Sequence, residues 1–464
     1  MAVTNHRAGH ANEALARLID ESGASRKWLA ARVNEIGAHH GVPLRYEHTS
    51  VTRWVNLGMV PRGRVPEFLA AALAERLGRP VTVDDIGMPM APESGGKLGL
   101  DFPRDPVDAV RVAATYWRTV DRRHFLTNGG FALSAYTTPV TRWLARPAAE
   151  PPAGRGTRQV GRSDVSELWA AADEAREWDS KFGGGNWKTS SVTHCLETQA
   201  APLLQGRYSQ AVGRQLFAAT AELSRVVGWA AFDVGQHEVA QRRFVQALSL
   251  ARAAGDIETG CYVLATMALQ TFLRGYPEHA ADMAEGAYER GRGHAAPRVL
   301  AFAKLAEARA HGRAGNARAA QAALATCERL LDSIRPGIHD PEHLAYFTHA
   351  RLATDTIEIY RDLNQPKAAL RWARFAEPMP VGQFTRATGI RLAVLASSHL
   401  RNGDLDRGLA TATQARTILS TVHSTRARSY LHALTDDLAP WATDHRAKEF
   451  IHHIHPPRSR PAAT

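Results

Sequence analysis

Between positions 48 and 56 the chain places His48, Thr49, Ser50, Thr52, Arg53 and Asn56 around three apolar residues, Val51, Trp54 and Val55. Short hydroxyls beside a single guanidinium suit the edges of base pairs, where arginine forks onto guanine and hydroxyls bond bases or phosphates. Upstream, Ser25-Arg26-Lys27 stands at the expected start of a helix. There, unpaired backbone amides and two cations suit a backbone phosphate. Arg45 lies between the two groups. Together these nine positions (Ser25, Arg26, Lys27, Arg45, His48, Thr49, Ser50, Thr52 and Arg53) are candidates for contact with double-stranded DNA.

The elements that must hold them are helices. Leu15, Leu18 and Ile19 recur at helical spacing and Gly23 follows as a C-terminal glycine. Ser25 reads as an N-cap before Trp28, Leu29, Val33 and Ile36, and Gly37 to Gly41 as a break. Pro66 opens a further helix through Phe68, Leu69, Leu73 and Leu77, closed by Gly78-Arg79-Pro80. Residues 1–88 are therefore expected to form one small helical domain.

In this domain Ser25-Arg26-Lys27-Trp28-Leu29-Ala30 resembles the start of helix two in phage-repressor-type (XRE-like) helix-turn-helix domains. Thr49-Ser50-Val51-Thr52-Arg53-Trp54 is similar to that family's DNA-reading helix. Leu77 to Gly87 resembles the stretch that follows in actinobacterial members. The interval from Val33 to Thr49 is longer than the family's tight turn and holds His39, His40 and Arg45.

Residues 89–163 read as a linker with one or two bridging helices, one over Val107–Asn128 with an Arg122-Arg123-His124 cluster and one over Tyr136–Leu144. Arg146 to Arg162 reads as flexible and basic. Residues 164–445 then show a repeating pattern. Gly235, Ala240, Phe244 and Ala247 set offsets that return as Gly275, Ala280, Ala284, Ala287 and as Gly315, Ala320, Leu324, Cys327. Asn364 and Gly403 open weaker copies, and Gly206 a partial one. Small residues at these offsets let paired helices approach, as in tetratricopeptide hairpins. The turn residues lie 40, 40, 49 and 39 positions apart, longer than the roughly 34 residues of that repeat. An α-solenoid of about five or six hairpins is expected, with residues 446–464 as a flexible tail. Trp178–Gly184, Pro202–Ser209 and Gly228–Gly235 resemble the C-terminal part of actinobacterial sporulation- and antibiotic-production regulators. That resemblance implies a transcription factor of development or secondary metabolism, usually a repressor.

Counting back from each turn gives the inner face of the first helix of every pair. It carries Arg225 and Trp229, then Tyr262 and Phe272, then Phe302 and Arg309, then Arg351, Glu358 and Arg361. Aromatic and arginine-bearing halves suit a peptide or an amphipathic small molecule with an acidic group. The plan is similar to Gram-positive peptide-pheromone receptors, which often clamp peptide backbone with asparagine; none stands at these positions.

Composition agrees with an all-α chain. Alanine is frequent and β-branched runs are few. The net charge of +11 among 464 residues favours a polyanionic partner. Three cysteines, far apart and without a CxxC pair, offer neither zinc site nor disulfide framework. No leader and no apolar run of about 20 residues is evident, so a cytoplasmic protein off the membrane is expected. Phosphate-binding glycine loops, GxSxG and HExxH are missing from the sequence. The histidines His445, His452, His453 and His455 fit a frayed end better than a metal site. No enzyme activity, cofactor or metal is expected. A homodimer is, because one small reading helix rarely binds tightly alone. The alternative is a tetratricopeptide adaptor whose N-terminal domain binds protein.

Overall fold

A computed structural model of the chain describes residues 11–39, 43–61, 65–79, 81, 85–88, 98–119, 131–145, 153–376 and 382–454. Among the described residues it is all-α apart from one two-residue strand pair and an isolated bridge. It divides into residues 1–97 and 98–464.

In the first unit Asn12 caps α1 (Glu13–Ser22), its side chain accepting from the Leu15 amide and donating to the Ile86 carbonyl. Gly23 ends α1 in the left-handed conformation, φ 60°, where a side chain is disfavoured. Helices α2 (Arg26–His39), α3 (His48–Asn56) and α4 (Val65–Leu77) complete the unit. Their apolar faces meet around Leu29, Val51, Leu69 and Leu73, which are sealed from solvent. Helix α2 runs through the expected break at Gly37, which is buried, so the connection to α3 is shorter than the sequence suggests. His40 and residues 80 and 82–84 lie outside the described residues.

The second unit is a train of helical hairpins. Its first pair joins α7 (Arg162–Phe182) to the broken helix formed by α8 (Trp187–Cys195), a π turn and α9 (Ala201–Leu204). Five regular pairs follow: α10 (Gln210–Asp233) with α11 (His237–Ala254), α12 (Ile257–Leu273) with α13 (Pro277–Gly291), and α14 (Pro297–Arg313) with α15 (Ala317–Asp332). Then come α16 (His349–Asp362) with α17 (Pro366–Trp372), and α18 (Thr385–Arg401) with α19 (Leu405–Leu419). The last pair is α20 (Thr425–Asp437) and α21 (His445–Ile454). Each of the five expected turn residues, Gly235, Gly275, Gly315, Asn364 and Gly403, has a positive φ, between 55° and 90°. Ala240, Ala280, Ala320 and Ala369, five residues on, are wholly buried where the paired helices touch.

Four expectations change here. Gly206 is not a hairpin turn: it leads into β2 (Arg207–Tyr208), which pairs with β1 (Gly154–Arg155), and the turn before α10's pair is at Gly183 instead. The described part of the expected basic linker, residues 153–162, is held by that pairing and by Val160, which is buried. The bridging helices α5 (Pro106–Thr119) and α6 (Ser134–Ala145) belong to the second unit, packed on α11 and α13. Trp117 donates to Gln246 at 2.7 Å, Tyr136 to Gln270, and Trp143 fills the space beside Gly260. The expected tail is helical through Ile454, with Ala447 and Phe450 buried. The Arg122-Arg123-His124 cluster and His455 lie outside the described residues.

The hairpin train returns to its own beginning. The amide of His423 donates to the Phe182 carbonyl and that of Gly185 to the His423 carbonyl. A side chain at Gly184 would stand 2.1 Å from the Ala230 carbonyl oxygen. The three glycines at 183–185 thus let the ends of the train meet backbone to backbone. Buried ion pairs seal the same seam: Arg386 forks onto Asp179 at 2.8 and 2.6 Å and reaches Asp233 at 3.1 Å, while Arg426 reaches Asp233 at 3.0 Å.

Candidate nucleic-acid interface and candidate ligand cavity

In the first unit, Val51, Trp54 and Val55 turn inward, so the 3.6-residue period sends Thr49, Arg53 and Asn56 outward along one line. Thr49, Arg53 and His48 are exposed, as are Ser25, Arg26, Lys27 and Arg45. Ser50 and Thr52 flank the line and are half-buried. Ser25 caps α2, its hydroxyl accepting from the Trp28 amide at 3.1 Å. Arg26 donates to the Thr52 hydroxyl at 3.1 Å, and that hydroxyl donates to the His48 carbonyl. The start of α2 and the outer face of α3 therefore form one surface.

The insertion before α3 has its own anchor. The Asn34 side-chain amide donates to the Tyr46 carbonyl and its oxygen accepts from the Tyr46 amide, both at 2.9 Å. Tyr46 then meets Trp54 edge to face, with ring centroids 5.0 Å apart. This pair fixes where α3 begins. Sequence reading missed Asn34 and Tyr46, because their partnership spans 12 residues and follows no helical period.

In the second unit the first helices of the pairs, with α7, α18 and α20, surround a cavity of about 540 Å³. The contributing residues repeat a helical spacing: Tyr262, Thr266 and Leu269 on α12; Phe302, Leu305 and Arg309 on α14; Arg351, Thr354 and Glu358 on α16. Seven of the nine expected positions line it: Arg225, Trp229, Tyr262, Phe302, Arg309, Arg351 and Glu358. Two do not. Phe272 is buried in the hairpin core beneath Arg309, whose guanidinium lies 5.1 Å from its ring centre. Arg361 turns to Asp362 at 2.6 Å and to Glu358 at 3.5 Å.

The loop at 333–348, which lengthens one repeat to 49 residues, supplies His343, Tyr346 and Phe347 to the cavity wall. Arg298 holds this loop through Asp340 at 2.7 Å and the Phe347 carbonyl. The irregular spacing was the one sequence signal for these residues. Phe384, which precedes α18, Ile390 within it, and Arg426 and Tyr430 of α20 were missed.

Six arginines on the described lining are paired with carboxylates. Arg225 forks onto Glu222 with two bonds of 2.7 Å and lies 4.4 Å over the Tyr262 ring; Arg176 reaches the same carboxylate at 2.5 Å. Burial by itself would raise the Glu222 pKa, but Arg225 and Arg176 bring it down to about 2. Arg309 meets Glu358 at 2.6 Å and Asp355 at 3.5 Å, Arg351 meets Asp355 at 2.8 Å, and the Tyr430 hydroxyl donates to Glu358. Burial raises the Glu358 carboxyl and its arginines lower it further than that, so it stays ionised. Burial, ahead of the nearby arginines, lowers the His343 pKa, and its ring stacks against Trp169. No cluster of metal-ligating side chains occurs among the described residues, and no described helix is long and apolar enough to cross a membrane.

Residues 15–89 match a family model described as the SP15 N-terminal domain. No curated protein matches the chain. The matched segment takes in α1 to α4 and so carries the whole exposed α2–α3 surface; the chain is similar there to SP15 N-terminal domains.

Proposed function

We propose that the chain is a sequence-specific DNA-binding transcriptional regulator whose repeat unit responds to an effector, dimerises, or both. One observation carries the reading: Arg26 of α2 and Thr52 of α3 are bonded, merging two exposed basic and hydroxyl-bearing segments into one face. A helix of nine residues with a polar outer line enters a major groove about 12 Å wide. Arg53 and Asn56 on that line are suited to guanine and adenine edges, while Ser25, Arg26, Lys27 and Arg45 take phosphates. The resemblance to phage-repressor-type domains and to actinobacterial regulators supports the same reading, and with it a repressor of development or secondary metabolism in the cytoplasm. A cavity of about 540 Å³ is within the usual range for a small-molecule effector.

The test is selection of bound fragments from the source genome by the full chain, followed by titration at rising salt. The proposal expects a recurring motif, with affinity falling steeply with salt as released counterions dictate. Failure to enrich any motif at low salt would leave the adaptor reading.

A further inference from the structure

We propose that the cavity of the repeat unit binds an uncharged amphipathic small molecule with an aromatic body, and selects against an acidic one. This rests on reading the cavity as an effector site and is independent of DNA binding. Arginines alone argue for an acidic ligand, and that is what their positions in the sequence suggest. The carboxylates change the balance. Among the described residues, seven arginines line the cavity, against six lining carboxylates and Glu222 and Asp233 directly behind them. Arg176, Arg225, Arg309, Arg351, Arg386 and Arg426 are each within ion-pair distance of a buried carboxylate, and Arg391 donates to the Ala376 carbonyl. A ligand carboxylate or sulfonate entering this site meets arginines outnumbered by carboxylates and lies beside Glu358 and Asp355. It would surrender its hydration for little gain in attraction.

What the cavity does offer is apolar and aromatic surface with hydrogen-bonding groups near it. Trp229, Tyr262, Phe302, Phe347, Phe384 and Ile390 form walls on which a flat apolar body can lie. Gln383, exposed and on the lining, and the paired guanidiniums provide donors to neutral oxygens. The described lining residues include no asparagine, and a closed seam at Arg386 and Arg426 bounds the cavity. An uncharged molecule with an aromatic or polycyclic body and a few carbonyl or hydroxyl groups matches both halves.

A matched pair of probes tests this on the full chain. N-phenyl-1-naphthylamine is uncharged, and 8-anilinonaphthalene-1-sulfonate is the same body carrying a sulfonate; fluorescence titration gives both affinities. The uncharged probe should saturate a single site at least about tenfold more tightly than the sulfonate. Ala306→Trp, which fills the cavity, should abolish that site; the smaller Ala306→Leu should weaken it if the first variant is not folded. Asp355→Asn removes one carboxylate and should move the ratio toward the sulfonate. Equal or tighter binding of the sulfonate to the wild type would overturn the proposed ligand class. A ratio unmoved by Asp355→Asn would do the same. Binding of the uncharged probe untouched by a folded position-306 variant would show that the cavity is not its site. Loss of DNA binding leaves these readings unaltered, so the two proposals fail separately.

Discussion

At the scale of single residues, the two units respond to charge in opposite ways. Arg53 is exposed and, among the described residues, its side chain makes no hydrogen bond or ion pair, so Arg53→Ala should leave folding intact. Loss of one forked base contact costs about 1–3 kcal/mol of discrimination, to be seen as roughly ten- to hundredfold weaker binding to a selected site. Glu222 is the reverse case. Glu222→Gln leaves Arg225 and Arg176 without their shared carboxylate, and such removals destabilise by about 3–5 kcal/mol. Denaturant unfolding of the second unit reads this directly. The sign with pH follows from a carboxyl lowered from 4.5 to about 2. Stability from this group is fully present above the unfolded value and lost as pH falls toward the folded one. Between pH 4.5 and 2 the wild type should therefore lose more stability than Glu222→Gln, and parallel acid limbs would contradict the pairing.

Elements were legible where periodicity governs them and opaque where contacts are long-range. The turn glycines and the alanines five residues later could be read because each repeat solves the same packing problem locally. The left-handed φ of Asn364 belongs to that pattern although the residue is not glycine. The role of Gly183, Gly184 and Gly185 could not be read, because their neighbours Ala230 and His423 are distant in the chain. Nor could the burial of α11, where Gln241, Arg243 and Gln246 look like a solvated face. They are covered by α5 and α6 and by bonds such as Trp117 to Gln246. Seven cavity positions were found from helical spacing, whereas His343 and Phe347 sit in a loop with no period. Gly184→Ala tests the seam: its methyl group would collide with backbone at Ala230, and overpacking of this kind costs about 1–3 kcal/mol. The thermal transition of the variant should fall, and an unchanged midpoint would mean that the ends of the train do not need to meet so closely. In the first unit, Asn34→Ala should weaken DNA binding without touching DNA, since Tyr46 and the start of α3 lose their clamp. A mobility shift showing wild-type affinity for a folded Asn34→Ala protein would rule out this positioning role.

For the whole molecule, two sites of opposite character are carried on one chain. One is an open surface with exposed arginines, a lysine and hydroxyls, proposed above to read DNA. The other is a partly open cavity in which six described lining arginines are paired with buried carboxylates. A chain with a net charge of +11 whose cavity arginines are paired has its available positive charge elsewhere, which favours electrostatic capture of a polyanion over binding of a small acid. The most direct test of the central claim is a mobility-shift titration of the full wild-type chain and Arg53→Ala, on the motif recovered from genomic fragments and on a scrambled control. The wild type should bind the motif tightly and with salt sensitivity, and Arg53→Ala should bind the motif roughly ten- to hundredfold more weakly with its affinity for the scramble little changed. Equal affinity of the wild type for motif and scramble, or undiminished preference for the motif by Arg53→Ala, would contradict a DNA-reading role for α3.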